Sequence, residues 1–235
     1  MKLDDVKALV TGGSSGIGYA TAKLLHARGA AVAICGRDRH RLDDAARELG
    51  VLGIAADVSR ESDVAKMVKQ VIRELGGYNV LINNAGYGYF APLLETAAEE
   101  FRRVWETNVF GAMLVARESA RHFVAQGIGD IINIASTAGQ RGYASGGAYV
   151  ATKFALSGLT ECWRAELRTA NVRVMQVNPS EVQTAFATNS GRKARPQNPT
   201  KLEGKDIAQT IASMLELEDR ALITEVTVWA TDPQD

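Results

Sequence analysis

Three residue types in the second half of the chain can move a proton onto or off an oxygen. Ser136 follows a short apolar run, Asp130-Ile131-Ile132-Asn133-Ile134, and Tyr149 and Lys153 follow it four residues apart. If residues 148–169 form one helix, positions i and i+4 share a face, and the Tyr149 hydroxyl and Lys153 ammonium enter the same space. A free phenol titrates near pH 10, too high for easy exchange at neutral pH. A neighbouring cation favours the phenolate and lowers that value. A tyrosine tuned in this way can serve an alcohol or carbonyl oxygen as acid or base, and the Ser136 hydroxyl can hold that same oxygen. Alone, Tyr-x-x-x-Lys is a weak pattern that many surface helices contain.

The elements that must position these groups alternate along the chain. Strand-like runs fall at 6–11, 30–35, 51–55, 80–83, 130–134, 172–177 and 225–230. Helical spacing occupies 16–28, 39–49, 61–75, 99–126 (read as one long helix), 148–169 and 206–217. Continuous apolar strands separated by amphipathic helices imply a mostly parallel, doubly wound α/β sheet of about seven strands, covered on both faces. With 235 residues and no repeat or linker, one domain (1–235) is the economical division. Residues 185–205 are polar and weakly periodic, and read as a mobile loop with room for a short helix.

Thr11-Gly12-Gly13-Ser14-Ser15-Gly16-Ile17-Gly18 joins the first strand to the first helix. Glycines allow a tight turn and close approach of a ligand, and the helix that follows offers free N–H groups and a positive dipole end. Gly12, Ser14, Ser15, Gly16, Ile17 and Gly18 therefore make a candidate pyrophosphate cradle, placed where a dinucleotide fold needs one.

With this loop in place the sequence resembles the short-chain dehydrogenase/reductase family, of the Rossmann type. The family's Thr-Gly-x-x-x-Gly-x-Gly matches Thr11, Gly12, Gly16 and Gly18. Its Asn-Asn-Ala-Gly matches Asn83, Asn84, Ala85 and Gly86. A helix asparagine (Asn108), the serine (Ser136), Tyr149-x-x-x-Lys153 and a late proline-plus-threonine element (Pro179, Thr184) follow in order. The likeness spans essentially the whole chain.

It implies hydride transfer between a nicotinamide and an alcohol/ketone pair. By the resemblance Ser136 positions the carbonyl and Tyr149 is the acid/base. Lys153 lowers the Tyr149 pKa and holds the nicotinamide ribose, and Asn108 holds a water in a proton relay. Asp57 and Val58 meet the adenine, Asn84, Ala85 and Gly86 touch the cofactor, and Pro179 and Thr184 meet the nicotinamide end. The family's usual Pro-Gly stands here as Pro179-Ser180, which puts pocket shape near the nicotinamide in question, and Glu181 beside it has no assigned role.

The end of the second strand bears on cofactor choice. Gly36 stands where members selecting NAD tend to carry aspartate, and Arg37 where members selecting NADP tend to carry arginine. A guanidinium forks onto a phosphate, and the missing acid removes repulsion. NADP is expected ahead of NAD, with nearby Asp38 as the counter-argument.

Substrate identity stays open between 3-oxoacyl thioesters and other carbonyl or 3-hydroxy-acid compounds. Tyr87, Phe90, Tyr143 and Phe186 are candidate pocket walls. Arg192, Lys193, Arg195, Lys201 and Lys205 form a basic stretch that suits an acidic substrate or plain solvation. The alternative is a catalytically idle NADP-binding regulator on the same scaffold. Phe110, Met113, Leu114, Leu156, Leu159 and Trp163 suggest an outward helix face for a homodimer or homotetramer.

A formal net charge of zero lends no support to a nucleic-acid or anionic-membrane role. Histidines 26, 40 and 122 have no ligand spacing, so no metal site is expected. Cys35 and Cys162 read as reduced, buried thiols. Met1-Lys2-Leu3-Asp4-Asp5 carries acids and differs from a signal peptide, no apolar run is long enough to span a bilayer, and the cytoplasm is the expected compartment.

Overall fold

The computed structural model describes residues 1–193 and 196–231. Arg195, one of the basic residues singled out above, lies outside them. Seven parallel strands form one sheet: β1 (Lys7–Thr11), β2 (Ala31–Gly36), β3 (Leu52–Ala55), β4 (Val80–Asn83), β5 (Gly129–Ile134), β6 (Val172–Pro179) and, last in the chain, β9 (Glu225–Val228). Their order across the sheet is β3-β2-β1-β4-β5-β6-β9. A two-stranded parallel ladder, β7 (Val182–Gln183) with β8 (Leu202–Glu203), stands apart.

Alternation of side chains along each strand divides the core in two. Ala8, Val10, Ile34, Ile82, Ile132 and Val177 face α1 (Gly16–Ala27), α2 (Arg39–Leu49) and α8 (Gly204–Leu215). Leu9, Ala33, Cys35, Leu81, Ile131 and Val174 face α3 (Glu61–Leu75) and α5 (Ala112–Gln126). Burial on both faces is why these strands read as unbroken apolar runs. The doubly wound α/β fold is as expected. No helix among the described residues is long and apolar enough to cross a membrane.

The structure corrects several expectations. The helix expected over 99–126 is three pieces: α4 (Ala98–Trp105), a π-helical segment (Glu106–Gly111) and α5. The wide turn fits Gly111 against Val58, whose Cγ2 lies 2.9 Å from where a Cβ would stand. The short helix that 185–205 left room for is present. The described residues of this stretch hold α7 (Phe186–Asn189), the β8 strand and the start of α8. The α8 turn begins early because Glu203 and Asp206 form a reciprocal capping box. Leu114 and Leu156 are buried against the protein rather than turned outward, whereas Phe110 and Phe154 are exposed. Cys35 is buried and Cys162 is exposed.

Candidate active site

The C-terminal ends of the parallel strands form one rim, and nearly every residue singled out for chemistry lies on it. The loop after β1 turns at Gly12, whose φ of 65° suits glycine. A Cβ on Gly18 would stand 2.5 Å from the Gly12 carbonyl oxygen and 2.6 Å from Asn84 Nδ2, so helix and loop pack backbone to backbone. Thr11 Oγ1 accepts from the Asn84 and Ala85 amides, both at 2.9 Å, and Asn84 Nδ2 donates to Thr11 O at 2.9 Å. These bonds lock the loops after β1 and β4 together. Ser15 caps α1 without a side-chain hydrogen bond, and the helix carries no acid in its first turn. Thr184 hangs over this loop, its Cβ 3.3 Å from where a Cβ on Gly16 would lie. The cradle fits a diphosphate: backbone donors, a favourable dipole, and no carboxylate in the opening turn of the helix.

Ser136 lies just past β5, at the start of a short turn, and its Oγ accepts from the Ala138 amide at 3.1 Å. It also lies 3.5 Å from Pro179 O. Tyr149 and Lys153 stand on α6 (Gly147–Leu167), both buried. Lys153 Nζ lies 5.6 Å from the Tyr149 ring centroid and donates to Ile134 O at 2.8 Å. The serine, phenol and ammonium therefore do gather in one place.

Their electrostatics differ from expectation. Burial pushes the Tyr149 phenol well above its ordinary range, with the Ser136 hydrogen bond pulling the other way. The same burial lowers the Lys153 ammonium, to about 8. At neutral pH the pair stands as a neutral phenol beside an ammonium that still holds its proton.

Asn108 lies in the π-helical segment, where the helix widens. Its side chain is committed. Nδ2 donates to Tyr87 O at 2.9 Å and to Thr152 Oγ1 at 3.1 Å, and Oδ1 accepts from Tyr87 N at 3.1 Å. The side chain thus fixes the loop after β4 against α6.

At the other end of the rim, Arg37, Asp57, Arg60, Tyr87, Arg103 and Thr107 line a polar cleft of about 450 Å³. Arg37 Cζ sits 5.8 Å from the Tyr87 ring centroid, so Tyr87 faces this cleft. Asp57 Oδ1 accepts from Ser59 N and Oγ, an Asx turn at the strand end next to Val58. Asp38 points away from the question it raised. Its carboxylate caps α2 by accepting from Arg41 N at 3.1 Å. Arg60 and Arg103 carried no sequence signal, since they join Arg37 only through the fold.

Phe90 and Phe186 flank Tyr149, their ring centroids 5.6 and 5.3 Å from its own. Ser180 departs from the family's glycine without strain. The described non-glycine residues with positive φ are Ser145 and Asn171, so position 180 asks nothing a serine cannot give. Glu181 pairs with Lys201 at 3.7 Å, joining the two ends of the β7–β8 excursion.

Residues 6–195 match the short chain dehydrogenase family. An uncharacterized oxidoreductase of Staphylococcus aureus (strain MRSA252) is 31% identical over 229 residues, covering 96% of this chain and 97% of that one. An alcohol dehydrogenase from the archaeon Thermococcus sibiricus, solved with 5-hydroxy-NADP, superposes with a TM-score of 0.88 at 29% identity, covering 98% of this chain and 99% of that one. A 3-ketoacyl-(acyl-carrier-protein) reductase from Brucella melitensis, solved with NADH, gives a TM-score of 0.88 at 30% identity, covering 97% and 98%.

Proposed function

The chain belongs to the short-chain dehydrogenase/reductase family, and on that premise we propose that it is an NADP-dependent reductase of carbonyl compounds with Tyr149 as proton donor. The observation that carries this reading is the gathering of Ser136, Tyr149 and Lys153 on one side of the rim that also holds the Gly12–Gly18 cradle.

When bound, the reduced nicotinamide supplies the hydride. The protein supplies the rest. Gly12, Ser14, Ser15, Gly16, Ile17 and Gly18 would hold the diphosphate. Asp57 and Val58 would meet the adenine, Asn84, Ala85 and Gly86 would touch the cofactor, and Pro179 and Thr184 would meet its nicotinamide end. Ser136 donates to the carbonyl oxygen, and Tyr149 passes its proton to that oxygen as negative charge grows there. Burial favours the neutral phenol, which is the form that reduction needs. Oxidation needs the phenolate and so gains with rising pH. Lys153 orients the ribose, and Asn108 fixes the loop that borders it.

Arg37 supports NADP over NAD. Gly36 puts no carboxylate at the end of β2, Asp38 is spent on its own helix, and the cleft sets three arginines, Arg37, Arg60 and Arg103 (the last paired with Glu100), against the carboxylates of Asp57 and Glu106. A homodimer is the proposed assembly. Met113, Ala116, Ala120, Val124, Trp163 and Leu167 line an apolar groove between α5 and α6, rimmed by Arg117, Arg121 and Glu166. Rim charges of both signs suit pairing with a second copy. Ala120→Glu should shift the sedimenting species toward monomer.

The test of the function is spectrophotometric. Oxidation of NADPH and NADH is followed over ketones, aldehydes and 3-oxoacyl thioesters. Turnover of at least one class, with NADPH ahead, is the expected result. Tight nucleotide binding with no turnover anywhere would mark a binding regulator instead.

A further inference from the structure

The segment after β6 carries a charge placed beside the proton donor. α7 is latched to the loop after β4, because Ser190 Oγ accepts from Gly88 N at 2.9 Å. Gly88 has to be glycine for this packing. A Cβ there would stand 2.4 Å from the Phe90 ring and 3.2 Å from the Phe186 ring. The chain then reverses at Gly191, whose φ is 72°, and Arg192 N donates to Ala187 O at 2.9 Å. That turn lays the Arg192 guanidinium on Phe90, 4.2 Å from the ring centroid. Phe90 is one of the two rings that flank Tyr149.

Arg192 is exposed, and two features set it apart from the other basic residues of its stretch. Among the described residues it forms no ion pair, whereas Lys201 pairs with Glu181 and Lys205 with Glu203. Its charge also reaches Tyr149 and Tyr143, where it opposes the upward shift of both. The basic stretch therefore does not act as a block. Lys201 and Lys205 face carboxylates, and the Arg192 guanidinium lies on the Phe90 ring beside Tyr149.

We infer that Arg192 reads a carboxylate on the substrate, so that the compounds this protein works on are oxo or hydroxy acids with an apolar stem lying between Phe90 and Phe186. The inference rests on the reductase reading above. A guanidinium fork matches a carboxylate in shape and charge, and one such group balances a monoanion better than a phosphate dianion. The stem is bound by the rings and the carboxylate fixes its direction, which turns the carbonyl toward Tyr149.

The test uses wild type, Arg192→Gln and Arg192→Lys. NADPH oxidation is measured on 2-oxo, 3-oxo and 4-oxo acids with phenyl or short alkyl stems, each beside its methyl ester. Binding of 4-phenylbutanoate, which has no carbonyl to reduce, is measured by calorimetry with NADPH present. Wild type should prefer acid to ester. Arg192→Gln should raise KM for the acid by about tenfold to a hundredfold, leave the ester and NADPH affinity within about twofold, and abolish 4-phenylbutanoate binding. Arg192→Lys should fall between. Equal effects on acid and ester, no effect on either, or a loss confined to NADPH affinity would overturn the inference while leaving a reductase. If neither acid nor ester turns over, the reductase reading falls and calorimetry alone decides: binding that disappears in Arg192→Gln upholds the anion site, and wild-type binding that is absent or independent of Arg192 removes it.

Discussion

Lys153 and Arg173 are two buried cations set against the same pair of strands, at opposite ends. Arg173, near the start of β6, faces Asp130 near the start of β5, its register partner. The guanidinium forks onto the carboxylate, Nε at 2.6 Å and Nη2 at 2.7 Å. Nη1 also donates to Ala221 O at 3.2 Å, which ties down the chain beyond α8. Lys153, at the far end of β5, has only the Ile134 carbonyl within hydrogen-bond reach and no ion pair among the described residues. Burial accordingly lowers it to about 8, whereas Asp130 holds Arg173 firmly protonated. The lower edge of the sheet satisfies its charge; the upper edge leaves its charge waiting for a partner. An unmatched buried cation costs stability, and proteins keep such groups where chemistry needs them.

The contrast can be broken first at its structural end. Arg173→Met strands Asp130 without its partner and should cost about 3–5 kcal/mol in denaturant unfolding. The double change Arg173→Met with Asp130→Asn should recover much of that, and the folded fraction should keep its turnover. A loss in turnover per folded molecule would show that the two ends are not separate.

At the upper end, Lys153→Met should lower turnover by about a hundredfold and yet raise stability. An ammonium depressed from 10.5 to about 8 costs about 3 kcal/mol, offset by about 1 kcal/mol for the lost hydrogen bond. The sign fixes the pH window. Below pH 8 both folded and unfolded chains hold the proton and the penalty is complete. Between about 8 and 10.5 the unfolded chain binds more protons, so wild-type stability gains with pH relative to the mutant and the gap closes. Urea unfolding of both proteins at pH 7 and pH 10 would sharpen the comparison; a gap that stays constant would contradict it.

The smallest effect belongs to the cleft beyond β2. Arg37→Ala should weaken NADPH by about tenfold with NADH little changed, read from dissociation constants. Tighter NADH than NADPH binding in wild type would end the NADP reading.

How much of this was legible in the sequence follows the same division. The strands were, because burial on both faces writes uninterrupted apolar runs such as 130–134 and 172–177. The glycine turn was, because Gly12 and Gly18 answer to backbone contacts that exclude a side chain. The π-helical segment was not: 99–126 keeps helical periodicity throughout, and nothing in residue type marks one widened turn. Outward and inward faces were misjudged at Leu114 and Leu156, since spacing gives a stripe but not its direction. The buried Tyr149 reversed its expected pKa shift because i,i+4 spacing brings Lys153 near without saying how much water both lose. The cation on Phe90 was invisible because Arg192 and Phe90 lie a hundred residues apart, joined by a latch at Gly88 that no local pattern encodes.

Turnover and NADPH affinity of Tyr149→Phe, measured on whichever carbonyl compound wild type reduces best, test the central claim most directly. The phenyl ring keeps the packing against Phe90 and Phe186 and lacks the hydroxyl that carries the transferable proton and the hydrogen bond to Ser136. A fall of about a thousandfold or more in turnover, with the NADPH dissociation constant within about twofold of wild type, is the predicted result. Turnover near the wild-type rate would contradict it and place the proton donor elsewhere.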